Sequence, residues 1–331
     1  MARRIVRTIM IERNDEISEK KGFFTGDYML KTKRLGNYLQ VAIPSNWENH
    51  AIEQILKEVW ETPKKLLHQW RMDKTILLNG MQTALSTKVK ENDELSLPIF
   101  TKGDYGVIPN KLQQAIQILY EDDHLIIVNK PARIATHPNG ASDKTTLANG
   151  IANHLQEKGE TCTVKHIHRL DQDTTGAILF AKHYFAGAIL DKKLERREIK
   201  RIYVAAIHGK LTNKKGIIRT NIGRDRHHPT RRRVSPTGQT AITHFQLHQY
   251  NAKRNISTVL CWLETGRTHQ IRVHFSSIGH PLVGDTLYGG KPIFHRQALH
   301  AQSIEFIHPI TLEKLKVTAP FIDEMSYFYT E

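Results

Sequence analysis

The stretch His168-Arg169-Leu170-Asp171-Gln172-Asp173-Thr174-Thr175-Gly176 sets a carboxylate, Asp171, two positions from a guanidinium, Arg169. It lies between a charged segment, Val164 to Ile167, and the apolar run Ala177-Ile178-Leu179-Phe180-Ala181, which reads as a buried strand. Gly176 and the Thr pair punctuate a turn feeding that strand, so Asp171 sits at a loop mouth. An Asp in such a loop ordinarily closes an Asx-type turn or caps a neighbour. A second stretch changes the balance: Thr265-Gly266-Arg267-Thr268-His269-Gln270-Ile271-Arg272-Val273-His274, followed by Gly279-His280-Pro281-Leu282-Val283-Gly284-Asp285. Arg272 brings to it a charge that is never lost and a planar fork that suits a carboxylate.

Taken together, the two stretches resemble the RluA-like family of pseudouridine synthases. Supporting matches run in the same order: Tyr120 through Pro131 as the family's opening strand, Lys200-Arg201-Ile202-Tyr203-Val204-Ala205 as its tyrosine motif, and Leu299-His300-Ala301 with His308-Pro309 as its closing segment. The resemblance covers about residues 115 to 325, with Thr175 standing where the family usually carries Ser. It implies that uridine in structured RNA is converted to pseudouridine without a cofactor. The bond from ribose C1′ to uracil N1 breaks, the base turns, and it rejoins through C5. Glycoside hydrolysis normally needs two carboxylates because water must also be activated. Here the base itself returns, so one carboxylate suffices. By resemblance that carboxylate is Asp171, and attack on C1′, addition to the base and a glycal route all remain open to it.

A carboxylate enclosed against a base and a sugar needs a fixed cation to stay ionised, and the family's match is Arg272. Tyr203 corresponds to the tyrosine that packs on the target uracil. Arg169 matches a residue that fills the space left when the nucleotide is extracted from its stack. Arg267, His269 and Gln270 are expected as further substrate contacts, with His168 counted among them although its main task would be to shape the loop. Thr268 is expected to cap a helix on which His269 and Arg272 share one face and Gln270 another.

A formal net charge of +15 over 331 residues implies attraction to phosphate polyanions. RNA is therefore the expected partner, ribosomal RNA first and transfer RNA second, with no obligate protein partner evident. The two cysteines, Cys162 and Cys261, form no Cys-x-x-Cys pair and fit a reducing, cytoplasmic setting. The nineteen histidines are scattered, with a single His-x-x-x-His spacing at His244 and His248 that falls in a strand-like run, and no metal is expected. No apolar run approaches a membrane span. The basic start, Met1-Ala2-Arg3-Arg4, meets Glu12 and Asp15 too early for a secretory signal. Two competing readings are a non-catalytic RNA-binding or ribosome-assembly factor and a sugar glycosidase. The first is opposed by the intact Asp171, Tyr203 and Arg272. The second is opposed by the charge and by the lack of a second motif carboxylate, Asp173 apart.

The fold expected is α+β, with a largely antiparallel mixed sheet preceded by a small α/β leader. Residues 1–100 form the leader, 101–114 a linker containing Gly103, Gly106 and Pro109, and 115–331 the catalytic domain. The first 45 residues read as short strands ending at Tyr38–Ile43. A helix follows over Ile52, Ile55, Leu56, Val59 and Trp60, capped by Ser45 or Asn49, and a second restarts after Thr62-Pro63. A strand at Thr75–Gly80 and a closing strand at Asp93–Leu97 complete a resemblance to the S-four-type RNA-binding module. Further on, Ser142 or Thr145 is expected to cap a helix through Leu147, Ile151 and Leu155. A helix from about Tyr184 turns Leu190 and Leu194 inward, and Ala241–Tyr250 with Ser257–Leu263 form a hairpin. The basic tract Arg224 to Arg233 should be an exposed, RNA-contacting arm.

Overall fold

The computed structural model describes residues 30–100, 103–140 and 143–330. The expected short strands and basic start before residue 30, and Ser142, lie outside the described residues.

The leader builds a five-stranded antiparallel sheet from β1 (Thr32–Leu35), β2 (Tyr38–Ala42), β3 (Leu77–Leu78), β4 (Met81–Gln82) and β5 (Glu94–Leu97), in the order β1-β2-β5-β3-β4. Asn79 and Gly80 both take positive φ, 51° and 80°, which makes the tight β3–β4 hairpin. Helices α1 (Ile52–Glu58) and α2 (Lys64–Asp73) accompany this sheet. Neither Ser45 nor Asn49 caps α1. Its N-cap is Ala51, and the first-turn amides of Ile52 and Glu53 donate to the carbonyls of Thr87 and Leu85 at 3.0 and 2.8 Å. A neighbouring strip of chain thus does the work of a side-chain cap.

The second sheet has ten strands. They are β6 (Gln117–Glu121), β7 (Leu125–Lys130), β8 (Lys165–His166), β9 (Thr175–Ala181), β10 (Lys200–His208), β11 (Lys215–Arg219), β14 (Ile242–Asn251), β15 (Ile256–Leu263), β16 (Leu299–Ile307) and β17 (Lys314–Thr318). The main path runs β11-β14-β15-β10-β16-β9-β7-β6, with β17 on β16 and β8 on β9. β16 and β9 run parallel and the other pairings are antiparallel, so the α+β, largely antiparallel expectation holds. A separate ribbon, β12 (Ile222–Arg224) with β13 (Arg232–Val234), carries the basic tract. Arg226, His227 and Arg233 are exposed on it, and Arg231 Nε donates to Asp225 at 2.7 Å. The helices are α3 (Leu147–Glu157), α4 (Tyr184–Glu195), α5 (Gln270–Ser277) and α6 (Tyr327–Thr330).

β9 explains its own sequence. Ile178 and Phe180 pack with Leu147, Ile151 and Leu155 of α3 on one face, while Ala177, Leu179 and Ala181 pack with Leu190 of α4 on the other. A strand covered on both faces cannot alternate, hence the unbroken apolar run. At its start Gly176 has φ +112°, and a Cβ there would collide with the backbone of Ala301, its partner in the parallel pair with β16. The cap of α3 is Thr146. Asn149, in the N3 position, accepts from the Thr146 amide through its side-chain oxygen at 3.1 Å, so an amide takes the usual Glu/Gln place in a capping box.

Residues 103–114 are packed rather than free. Tyr105 and Val107 lie against the core of the ten-stranded sheet, the Tyr105 hydroxyl donates to the Glu160 carbonyl at 2.6 Å, and the Asn110 amide to that of Asn149 at 3.1 Å. The leader also shares a core with α4. Trp60 and Trp70 meet Phe185 edge-on at 6.3 and 5.6 Å, and Ile189 and Ile310 join the same cluster. Trp60 Nε1 donates to the Ile310 carbonyl at 3.3 Å, and Lys192 Nζ to the Glu61 carbonyl at 2.7 Å. Phe185→Ala should therefore cost about 3–5 kcal/mol, and deletion of the leader should lower stability through the newly exposed Phe185, Ile189 and Ile310. Denaturant unfolding checks both. A midpoint unchanged in the Ala variant would mean that the shared cluster contributes little.

Candidate active site

Asp171 and Arg272 meet in an open cleft of about 590 Å³ whose wall also includes Arg169, Arg201, Tyr203 and Arg267. Arg272 Nη1 donates to Asp171 Oδ2 at 3.0 Å. Its Nε and Nη2 grip Asp285 at 2.7 and 2.9 Å, and the guanidinium lies 5.0 Å from the Tyr288 ring centre. Burial alone would lower the Arg272 pKa, but the Asp285 and Asp171 carboxylates outweigh it and raise it. The cation facing Asp171 is thus fixed in charge and orientation.

His269 stands 3.9 Å from Asp171 Oδ2 through Nε2. Burial lowers its pKa against the opposing pull of Asp171, so it is held neutral. Its Nδ1 meets the Tyr288 hydroxyl at 2.7 Å, and that hydroxyl accepts the Arg232 amide at 2.9 Å. A Tyr288 hydroxyl that gives its proton to Nδ1 leaves the ring proton on Nε2, facing Asp171. Tyr288 also ties the basic ribbon to the catalytic cleft.

The helix start differs from the expectation. Thr268 is not the cap: His269 is, in left-handed backbone at φ 59°, and α5 begins at Gln270. Gln270 explains the shift, because Oε1 accepts from the Arg267 amide and Thr265 Oγ1 at 3.0 and 2.7 Å. Its Nε2 donates to the Ile242 carbonyl and Thr243 Oγ1, both at 3.0 Å. Gln270 lines the cleft yet is buried, with its polar atoms engaged within the fold. His168 also lines the cleft and is buried, with Nε2 accepting the Leu179 amide at 3.3 Å and Nδ1 left without a hydrogen-bond partner. Arg169 and Arg267 are exposed at the cleft wall, and Arg267 Nε donates to the Thr240 carbonyl at 3.0 Å. Tyr203 is buried in the wall, and burial raises its phenol pKa. Asp173 accepts the Arg133 amide at 3.2 Å.

The Asp171 loop rests on two buried basic side chains that the motif reading left without roles. Lys130 Nζ donates to the carbonyls of Gln172 and Pro131 at 2.7 and 2.8 Å. Arg296 donates through Nη1 to the Asp173 carbonyl and through Nη2 to Thr175 Oγ1, both at 3.1 Å. A lysine closing the buried strand Leu125–Val128 was the available signal for the first of them. Thr175 keeps the hydroxyl that this network requires. Among the described residues no group of three or more His, Cys, Asp and Glu is placed to hold a metal.

Burial pulls the Lys130 ammonium down to about 7, against Asp173 and Asp171. A free lysine titrates near 10.4, so between about pH 10 and 7 the unfolded chain takes up this proton first. Wild-type stability should therefore rise, relative to Lys130→Met, as pH increases from about 7 to 10. Thermal unfolding of the two proteins across that window measures it. A constant difference would mean that Lys130 is charged in the fold throughout.

With this geometry in place, comparison with known proteins is decisive. Residues 124–277 match the RNA pseudouridylate synthase family model, and residues 39–95 match the RluD ribosomal pseudouridine synthase N-terminal domain. An uncharacterized RNA pseudouridine synthase of Bacillus subtilis, YhcT, is 48% identical over 291 residues, covering 88% of this chain and 96% of its own. The chain belongs to the RluA-like family of RNA pseudouridine synthases. The ribosomal large subunit pseudouridine synthase D of Nitrosomonas europaea is 35% identical over 303 residues, covering 88% of this chain and 86% of its own. Among solved structures, human RNA pseudouridylate synthase domain containing 1 aligns with a TM-score of 0.52 at 25% identity, covering 62% of this chain and 84% of its own. As a member of the family, the chain isomerises uridine in RNA, and the catalytic reading prevails over a purely binding one.

Proposed function

We propose that Asp171 is the carboxylate that acts on the target nucleotide, with Arg272 as its cation and Tyr203 as the aromatic wall beside the uracil. The observation that carries this reading is the 3.0 Å contact from Arg272 to Asp171, anchored from behind by Asp285 at the base of an open cleft. The base leaves C1′ and returns through C5, so the site has no second carboxylate to supply. Arg169 lies at the cleft wall, where a long planar cation fills the gap left by an extracted nucleotide. Arg267 and His269 contact the substrate from the other wall.

The substrate we propose is large-subunit ribosomal RNA, in line with the name carried by the Nitrosomonas europaea relative. The leader, residues 1–100, and the β12–β13 ribbon extend the RNA contact beyond the cleft. Residues 101–114 join the leader to the catalytic domain at 115–331, and the setting is the cytoplasm, where ribosomes are modified. No helix among the described residues is long and apolar enough to cross a membrane.

Chemical-adduct mapping of pseudouridine in a deletion strain, read as reverse-transcription stops, tests the substrate. One or more stops should vanish from large-subunit ribosomal RNA and return with the wild-type gene. Loss confined to transfer RNA would overturn the ribosomal assignment.

A further inference from the structure

The sheet face opposite Tyr203 carries a row, exposed at Ile217 and Trp262 and half-buried at His244 and Ile202, that the catalytic cleft does not use. Ile217 pairs with His244, His244 with Trp262 and Trp262 with Ile202, so four adjacent strands (β11, β14, β15 and β10) present these side chains in line. Directly paired residues project to the same side of a sheet. Tyr203 and Cys261, one step along in register, point to the other face and the catalytic core. Trp262 is 39% exposed and Ile217 51%. The His244 ring stacks with the indole at 5.4 Å with 11° between planes, which fixes the orientation of the indole. Farther along the same face, Val204, Ala206 and Ile256 are covered by Met325, Phe321 and Phe328. The cover stops short of Trp262.

Charge frames the row. Lys200, Lys215 and Arg219 are exposed around it, and its acids are already engaged. Glu264 pairs with His244 at 2.6 Å and Arg197 at 2.5 Å, and Glu305 with Lys314 at 3.2 Å. Arg197 and Glu264 also line the catalytic cleft, so the row begins where the cleft ends. An exposed aromatic on a β-sheet with cations beside it is the arrangement on which single-stranded nucleic acid stacks its bases.

We infer that the Ile217–His244–Trp262–Ile202 row is a second RNA contact, a stacking platform for an unpaired base of the substrate outside the catalytic cleft. The inference rests on RNA being the substrate but on no catalytic assignment, and its test reads binding alone. Of the four tryptophans, Trp47, Trp60 and Trp70 are buried in the leader core, so iodide quenching of the full-length protein reports on Trp262. A short oligouridylate should quench this emission and shield it from iodide. Trp262→Ala should weaken oligouridylate binding by about 5- to 150-fold, the range that stacking of one base gives, with an unchanged unfolding midpoint. Trp262→Phe should restore most of the loss. Failure to bind oligouridylate, binding that leaves Trp262 open to iodide, or an Ala variant that binds as tightly as wild type would each overturn the platform. None of these results would bear on Asp171.

Discussion

Arg272→Met should lose catalysis and stability together. In the folded chain Arg272 bridges two carboxylates, Asp171 at 3.0 Å and Asp285 at 2.7 and 2.9 Å, and the Asp285 side chain is 1% exposed. Methionine preserves bulk but leaves Asp285 as an uncompensated buried anion, a change that typically costs about 3–5 kcal/mol. The cation is also lost from Asp171, and removal of one preorganised electrostatic partner typically lowers kcat on the order of 10²–10³-fold. Two further variants separate the effects. Arg272→Lys keeps the charge without the fork, so it should recover part of the rate while the Asp285 grip stays weakened. Asp285→Asn leaves the Arg272–Asp171 contact possible and should lower the unfolding midpoint more than the rate. Single-turnover rates and unfolding midpoints for all three provide the measurement. A folded Met variant with wild-type rate would remove Arg272 from the mechanism.

Much of the site was legible in the sequence because its chemistry is carried by two short motifs that are loop and helix-start segments. Asp171 and Arg272 are separated by a hundred residues, yet the motifs that hold them pair as expected. The third member of the chain was not legible. Asp285 follows Gly284, whose φ of 75° and close approach to the Arg296 carbonyl turn the chain back under α5. That turn depends on tertiary contact, which no local pattern encodes. The part that Gln270 plays within the fold was hidden for a related reason. Its amide suits a substrate, but in the fold it also satisfies the Arg267 amide and the Ile242 carbonyl, partners far apart in sequence.

At the level of elements, periodicity found α4 and its inward Leu190, but α4 has a second apolar stripe. Phe185 and Ile189 face the leader, and one amphipathic pattern cannot show that a helix is shared between two cores. Cap assignments failed at α1, α3 and α5 for three different reasons: carbonyls of a distant strip that accept the first-turn amides, an asparagine in a capping box, and a histidine in left-handed backbone. Each depends on a partner or a backbone angle beyond the reach of residue preference. Fold class survived these local misses because it depends on the burial pattern of strands such as β7 and β9 rather than on where helices begin.

The central claim is that Asp171 does the chemistry. Asp171→Asn keeps nearly the same shape, and it removes a negative charge from a protein whose grip on RNA is mainly electrostatic. Affinity should hold while the rate falls on the order of 10⁴-fold or more, as happens when the essential reacting group of an enzyme is lost. The direct measurement is tritium release from RNA carrying 5-tritiated uridine, prepared from the deletion strain and incubated with excess enzyme, with RNA retention scored in parallel. The expected result is normal retention of RNA by the Asn variant with tritium release no greater than in the enzyme-free blank. Release above that blank by a homogeneous, folded Asn variant would contradict the account.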